Sequence, residues 1–228
     1  MKKTVAIIGA SYLQKPLVLK AKELGLRTIC FAWDKDAVCK SLVDMFYPIS
    51  IIEKDDILAK CKTEDIDGIC TIASDVAAPT VAYVANKLDL VGNDYQAAVK
   101  ANNKWLMREA FKSAGIPCPW FKCVSSYDDL RDENHIFPLI VKPVDRSGSM
   151  GVFEVNTDLE LEIAIKEAVS DSFSKKAMVE QYVDGREISV EFISFENNHY
   201  PLTITDKVTT ESPHFVELEH HQPSTLPN

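Results

Sequence analysis

The first hundred residues repeat one pattern, a short apolar run followed by a stretch with helical spacing, and few folds accept it. Residues 5–8 are apolar and are closed by Gly9. Leu13, Leu17, Ala21 and Leu24 follow at helical spacing, and Gly25 stops them. A second apolar run covers 27–31, a third lies within 43–52 and a fourth spans 68–72, with helix-like stretches at 55–62 and 77–88. Strands that alternate with crossover helices lie parallel in one sheet and are covered on both faces. Residues 1–100 are therefore expected to form an α/β domain around a parallel sheet.

Composition narrows the function classes. The formal net charge is −9 over 228 residues, which argues against a general nucleic-acid binder, since such a surface must be basic to displace counterions. The charged start Met1-Lys2-Lys3 precedes an apolar run too short for a signal peptide, and a glycine turn ends it, so it reads as a first strand. No apolar segment approaches the roughly 20 residues a membrane helix needs. Six cysteines, none in CxxC spacing, sit mostly inside apolar stretches and read as buried thiols. A cytoplasmic protein is expected, with no membrane or nucleic-acid partner.

After residue 100 the pattern changes to α+β, so a second domain is expected over 101–228. A helix is expected at 102–114, capped by Asn102 and stopped by Gly115, with an extended exit through Pro117 and Pro119. Strands are expected at 137–143 and 152–155, a helix at 159–169, and strands at 177–183, 187–195 and 200–208. The turns at 183–186 and 196–199 suit antiparallel hairpins.

Three segments could carry chemistry. In PLIVKPVDRSGSMGV (138–152) a buried strand delivers Lys142, and a loop with two glycines and two serines follows. Such a loop turns backbone N–H groups toward an anion, and the lysine adds a point charge, which together suit a polyphosphate. An exposed hairpin loop would have a similar sequence. GxxxxGK[ST] is absent. In MVEQYVDGREISVEF (178–192), Gln181 and Val183 offer backbone groups to an adenine edge and Glu187 offers a carboxylate to ribose hydroxyls; an ordinary hairpin with solvated acids fits as well. The third, NNKWLMREAFKSAGIP (102–117), is by itself only an amphipathic helix. A dinucleotide site at Gly9, with Asp34 on a ribose, would make the chain an oxidoreductase, but one glycine stands where the fingerprint needs three.

The order of these segments resembles the ATP-grasp superfamily, most closely its biotin carboxylase and carbamoyl-phosphate synthase large-subunit branch. The resemblance covers essentially the whole chain. It implies a Rossmann-like pre-ATP-grasp domain at 1–100 and an ATP-grasp module at 101–228 that lacks its C-terminal part. It further implies that Lys104 and Lys142 contact ATP phosphates and that Ser147, Gly148, Ser149 and Gly151 belong to the loop over the β- and γ-phosphates. Glu180, Gln181 and Val183 would form the adenine hinge, and Glu187 would bind ribose. Lys207 would lie near the γ-phosphate as a catalytic group, with Arg146 and His214 looser candidates for the transferred phosphoryl or the substrate. Metal binding by the adjacent His220 and His221 would require a loop, because neighbours on a strand face opposite ways. The superfamily's magnesium-holding acidic pair has no match, so Mg²⁺ ligands are expected beyond residue 228 and this chain is expected not to turn over. The implied function is ATP-dependent joining of a small carboxylate to an amine, with a non-catalytic nucleotide-binding module as the alternative. A homodimer is compatible with the sequence, which does not fix the oligomeric state.

Overall fold

Apolar residues on both faces of each strand are what a doubly covered sheet requires, and the first part of the chain supplies them. The computed structural model describes residues 2–196, 198–210 and 215–226. Contacts divide the chain into two units, Met1–Ala110 and Phe111–Asn228. The first unit runs β1 (Thr4–Ile8), α1 (Lys15–Glu23), β2 (Arg27–Phe31), β3 (Met45–Tyr47), α2 (Lys54–Thr63), β4 (Gly68–Cys70), α3 (Ala78–Lys87) and α4 (Tyr95–Asn102), and α5 (Lys104–Ser113) begins in it. Its four strands pair in parallel in the order β3-β2-β1-β4. Ala6, Ile8, Ile29 and Phe31 pack on one face against Ile57, Cys61, Val84 and Ala85 of α2 and α3. Ile7 and Cys30 pack on the other against Val18 and Ala21 of α1. Burial pushes the Cys30 thiol up to about 12, with Cys39 and Cys70 adding to the shift.

Two expectations change here. The helix expected at 102–114 is preceded by α4, and the cap of α5 is Asn103, whose side chain accepts from the Leu106 N–H at 3.1 Å. Asn102 instead ends α4 and donates to the Asp75 carbonyl. The missed helix carries its own start signal, since Asp94 caps it by accepting from the Ala97 N–H at 2.8 Å.

The second unit holds β5 (Phe121–Val124), β6 (Leu139–Pro143), β7 (Phe153–Val155), α6 (Asp158–Asp171), β8 (Ala177–Gln181), β9 (Ile188–Phe195), β10 (Asn198–Thr209) and β11 (Glu217–His221). Two antiparallel sheets result, β5-β8-β6-β7 and β11-β10-β9. Leu161, Ala164, Ile165 and Ala168 of α6 seal one face of the first sheet against Leu139, Val141, Val155, Ala177 and Val179. In the second sheet Thr205 and Asp206 are the buried members among the described residues.

The hairpin expected at 183–186 does not form. Both edges of β8 are taken, by β5 and β6, so β9 has no edge of β8 to join and enters the other sheet. The hairpin between β9 and β10 does form. β5 and β11 were not foreseen: β5 is four residues long with a lysine inside, and β11 is exposed throughout with no apolar alternation. No helix among the described residues is long and apolar enough to cross a membrane.

Leu161 is fully buried in the α6 core, so Leu161→Ala should lower the stability of the second unit by about 2–5 kcal/mol. Urea unfolding followed by tryptophan fluorescence checks this; a loss below about 1 kcal/mol would mean that α6 is not the seal of that sheet.

Candidate functional site

Alternation along β6 sends Leu139 and Val141 toward α6 and Ile140 and Lys142 to the opposite face. On β8 the same alternation sends Ala177 and Val179 inward and Met178 and Glu180 to that opposite face. The register pairs Lys142 with Met178 and Ile140 with Glu180, which makes Lys142 and Glu180 diagonal neighbours. Their side chains form an ion pair, with Lys142 18% and Glu180 7% exposed. Desolvation at such a site offsets most of the Coulomb attraction, so apolar residues would serve stability as well. Charge at this position therefore calls for an explanation other than folding.

The loop after β6 is built to bend. Gly148, Ser149 and Gly151 have φ of 65°, 54° and 69°. A Cβ on Gly151 would meet Pro143 Cγ at 2.9 Å, so glycine is required there by space as well as by conformation. At the other end Asp145 accepts from the Phe173 and Ser174 N–H groups at 3.1 and 2.8 Å and from the Ser174 hydroxyl at 2.7 Å. Burial works against this charge, but those hydrogen bonds outweigh it and hold the carboxyl below its ordinary value. Arg146 donates from Nε to the Asp171 carbonyl at 2.6 Å and stacks 3.9 Å from the Phe173 ring. Ser147 and Gly148 are exposed. The Ser149 hydroxyl donates to the Phe215 carbonyl at 3.0 Å.

The end of β8 is committed unevenly. The Gln181 N–H donates to the Trp120 carbonyl at 2.9 Å, and both the Gln181 side chain and the Tyr182 N–H donate to the Pro138 carbonyl, at 3.0 and 3.2 Å. Val183 is 68% exposed. A base edge at this strand would meet the backbone of Val183 rather than the N–H of Gln181.

In the second sheet Lys207 Nζ lies 2.6 Å from Glu217 Oε1 and 3.4 Å from Glu187 Oε2. Burial alone would lower the Lys207 pKa, but Glu217 and Glu187 outweigh it and raise it. His220 Nε2 is 3.4 Å from the other Glu217 oxygen. His220 and His221 lie on β11, and His221 pairs with Glu219 at 2.7 Å. Glu217 was not singled out in the sequence; nothing in its spacing marks it, because its partner is ten residues away across a strand pair. Asp206 was also missed. It accepts from Ser224 Oγ and Arg186 Nη2, each at 2.5 Å, and from the Thr225 N–H at 2.9 Å. The Ser224 hydroxyl, then the Thr225 N–H, hold its carboxyl below the ordinary range against burial.

The structure thus joins Lys142 to Glu180, Lys207 to Glu187, and Ser149 to the segment before β11. Arg146 is directed to the connection between α6 and β8. Lys104 opens α5 within the first unit, and His214 lies outside the described residues. In the first unit Gln14, 3% exposed, sits over the Gly9 turn. Its Oε1 accepts from the Ser11 N–H at 3.1 Å and the Ser11 hydroxyl at 2.7 Å, and its Nε2 donates to the Ile72 carbonyl at 2.7 Å. A pyrophosphate on that turn would find the Ser11 N–H already bonded.

The family model for the D-ala D-ala ligase C-terminus matches residues 110–222. Residues 110–222 are thus similar to a ligase domain of the ATP-grasp superfamily. It is similar to the alanine–anticapsin ligase of Bacillus subtilis (strain 168), 27% identical over 256 residues that cover 95% of this chain and 53% of that protein. Among solved structures, an L-amino acid ligase from Bacillus licheniformis matches at TM-score 0.77 and 26% identity, over 95% of this chain and 55% of that one. The biotin carboxylase domain of the Hydrogenobacter thermophilus 2-oxoglutarate carboxylase, solved with MgADP, ADP and bicarbonate, matches in fold at TM-score 0.76 and 17% identity, over 100% of this chain and 55% of that one. The chain spans a little over half the length of these ATP-grasp relatives.

Because the Asp206 pKa is depressed in the folded state, its contribution to stability is present above the unfolded carboxylate value and is lost as pH falls through the folded value. Asp206→Asn should therefore be less stable than the parent at neutral pH, with the gap narrowing below about pH 4. Thermal midpoints recorded from pH 7 to about pH 2 test this, and a gap that stays constant on acidification would remove Asp206 from the account.

Proposed function

We propose that the second unit binds ATP and forms the nucleotide half of an ATP-dependent carboxylate–amine ligase. The observation that carries this reading is the Lys142–Glu180 ion pair, largely buried on a sheet face beside a left-handed glycine loop. A lysine in such a place is a point charge held ready for a phosphate, and the loop N–H groups supply further donors. Lys142 would meet the phosphates, and residues 147–151 would cover them. Val183 would present its backbone to the base beside Glu180 and Gln181, and Glu187 would take ribose hydroxyls. Lys207, held by Glu217 and Glu187, would stabilise charge on the transferred phosphoryl. Arg146 would serve at the foot of the loop, through Asp171 and Phe173, instead of at the phosphoryl.

In the full reaction the γ-phosphoryl passes to a small carboxylate, an amine attacks the acylphosphate carbon, and phosphate leaves. The amino-acid ligases similar to this chain favour an amino acid as one of the two reactants. Magnesium would neutralise charge between the β- and γ-oxygens. The described residues do not fit such a site: they contain no group of three or more His, Cys, Asp or Glu side chains placed to hold a metal. This chain alone is expected to bind nucleotide without ligating.

Lys142→Ala should weaken ADP binding by about ten-fold or more, because a charge-assisted contact to phosphate is lost. Calorimetric titration with ADP checks this, and unchanged affinity would remove Lys142 from the phosphate site.

A further inference from the structure

The glycine loop is pinned at both feet and tied at its tip. Asp145 and Arg146 fix one foot to the α6–β8 connection, and Gly151 packs against Pro143 at the other. Between them Ser147, Gly148 and Met150 are exposed, and Ser149 is bonded to Phe215 across 66 residues of chain. Both ends of that bond are non-glycine residues with left-handed backbones, φ 54° at Ser149 and 49° at Phe215. Such conformations persist where surrounding contacts hold them, and they concentrate at clamps and switches. The Phe215 ring in turn lies 6.3 Å from the Tyr182 ring, tilted by 32°, and the Tyr182 N–H is fixed to the Pro138 carbonyl. Phe215 thereby links the loop tip to the end of β8.

We infer that Phe215 is a positioning residue whose carbonyl latches the glycine loop in the nucleotide-free protein, and that nucleotide phosphate displaces this latch. A serine hydroxyl has one proton to donate. Ser149 therefore cannot serve the Phe215 carbonyl and a phosphate oxygen at once, and binding must exchange one acceptor for the other. The latch keeps the tip ordered before nucleotide arrives and slows its entry. The displacement step rests on the nucleotide reading above, whereas the latch itself does not.

Hydrogen exchange on the nucleotide-free protein tests the latch directly. Ser149→Ala removes the donor and should speed exchange of the amides at 147–150 by roughly five-fold, the factor lost with one neutral hydrogen bond; Phe215→Leu keeps the carbonyl but removes the ring that holds it against Tyr182, and should speed exchange there by a smaller factor, while β6 and α6 stay protected in both. Unchanged exchange at 147–150 in both variants overturns the latch, as does a change spread over the whole second unit. Stopped-flow binding of a fluorescent ADP analogue then tests the exchange of acceptors. Phe215→Leu should raise the association rate with little change in dissociation, whereas Ser149→Ala should raise both, having lost the phosphate contact as well. Equal association rates in all three proteins overturn the displacement step. Faster exchange at 147–150 in the two variants, combined with a parent protein that fails to bind the analogue, overturns the displacement step and the nucleotide reading together, and leaves the latch standing.

Discussion

Lys142 and Glu180 share one face of a sheet whose other face is sealed by α6, and the arrangement of the second unit follows from keeping them together. The antiparallel register of β6 and β8 places the two side chains on a diagonal, and the flanking strands β5 and β7 deny either one a free edge. An ion pair so little exposed adds small net stability, because both charges have left water. It does hold a lysine ammonium in a fixed place on that face. The apolar seal and the charged face are thus two consequences of one alternating pattern.

The second sheet repeats the device with its charges nearer to solvent. Lys207 lies between Glu187 and Glu217, while Asp206, its neighbour on β10, bonds Arg186 and Ser224. Successive residues of a strand face opposite sides, so one side of β10 offers charge and the other anchors the segment at 222–226. The Asp206 bonds fix the backbone on which Glu187 and Lys207 stand, and the Lys207 N–H donates to the Glu187 carbonyl at 3.1 Å.

Much of this was legible in the sequence. The parallel sheet followed from apolar runs between helix-spaced stretches, and Lys142 and its loop stood out because lysine, glycine and serine cluster at a strand end. What escaped were features set by distant pairing. The break between β8 and β9 depends on β5, a strand too short to announce itself. Glu217 and Asp206 gain their roles from partners across strands and loops, which no local spacing records. Gly9 was read as a lone glycine where the fingerprint needs three, and the structure adds Gln14, a buried amide that already occupies the turn.

Photolabelling with 8-azido-ADP, followed by peptide mapping, reports which strand faces the base. Label is expected on the peptide that carries residues 180–187, reduced by excess unlabelled ADP and by Lys142→Ala. Protectable label on the Gly9 turn, with none on the β8 peptide, would contradict it and move the nucleotide to the first unit.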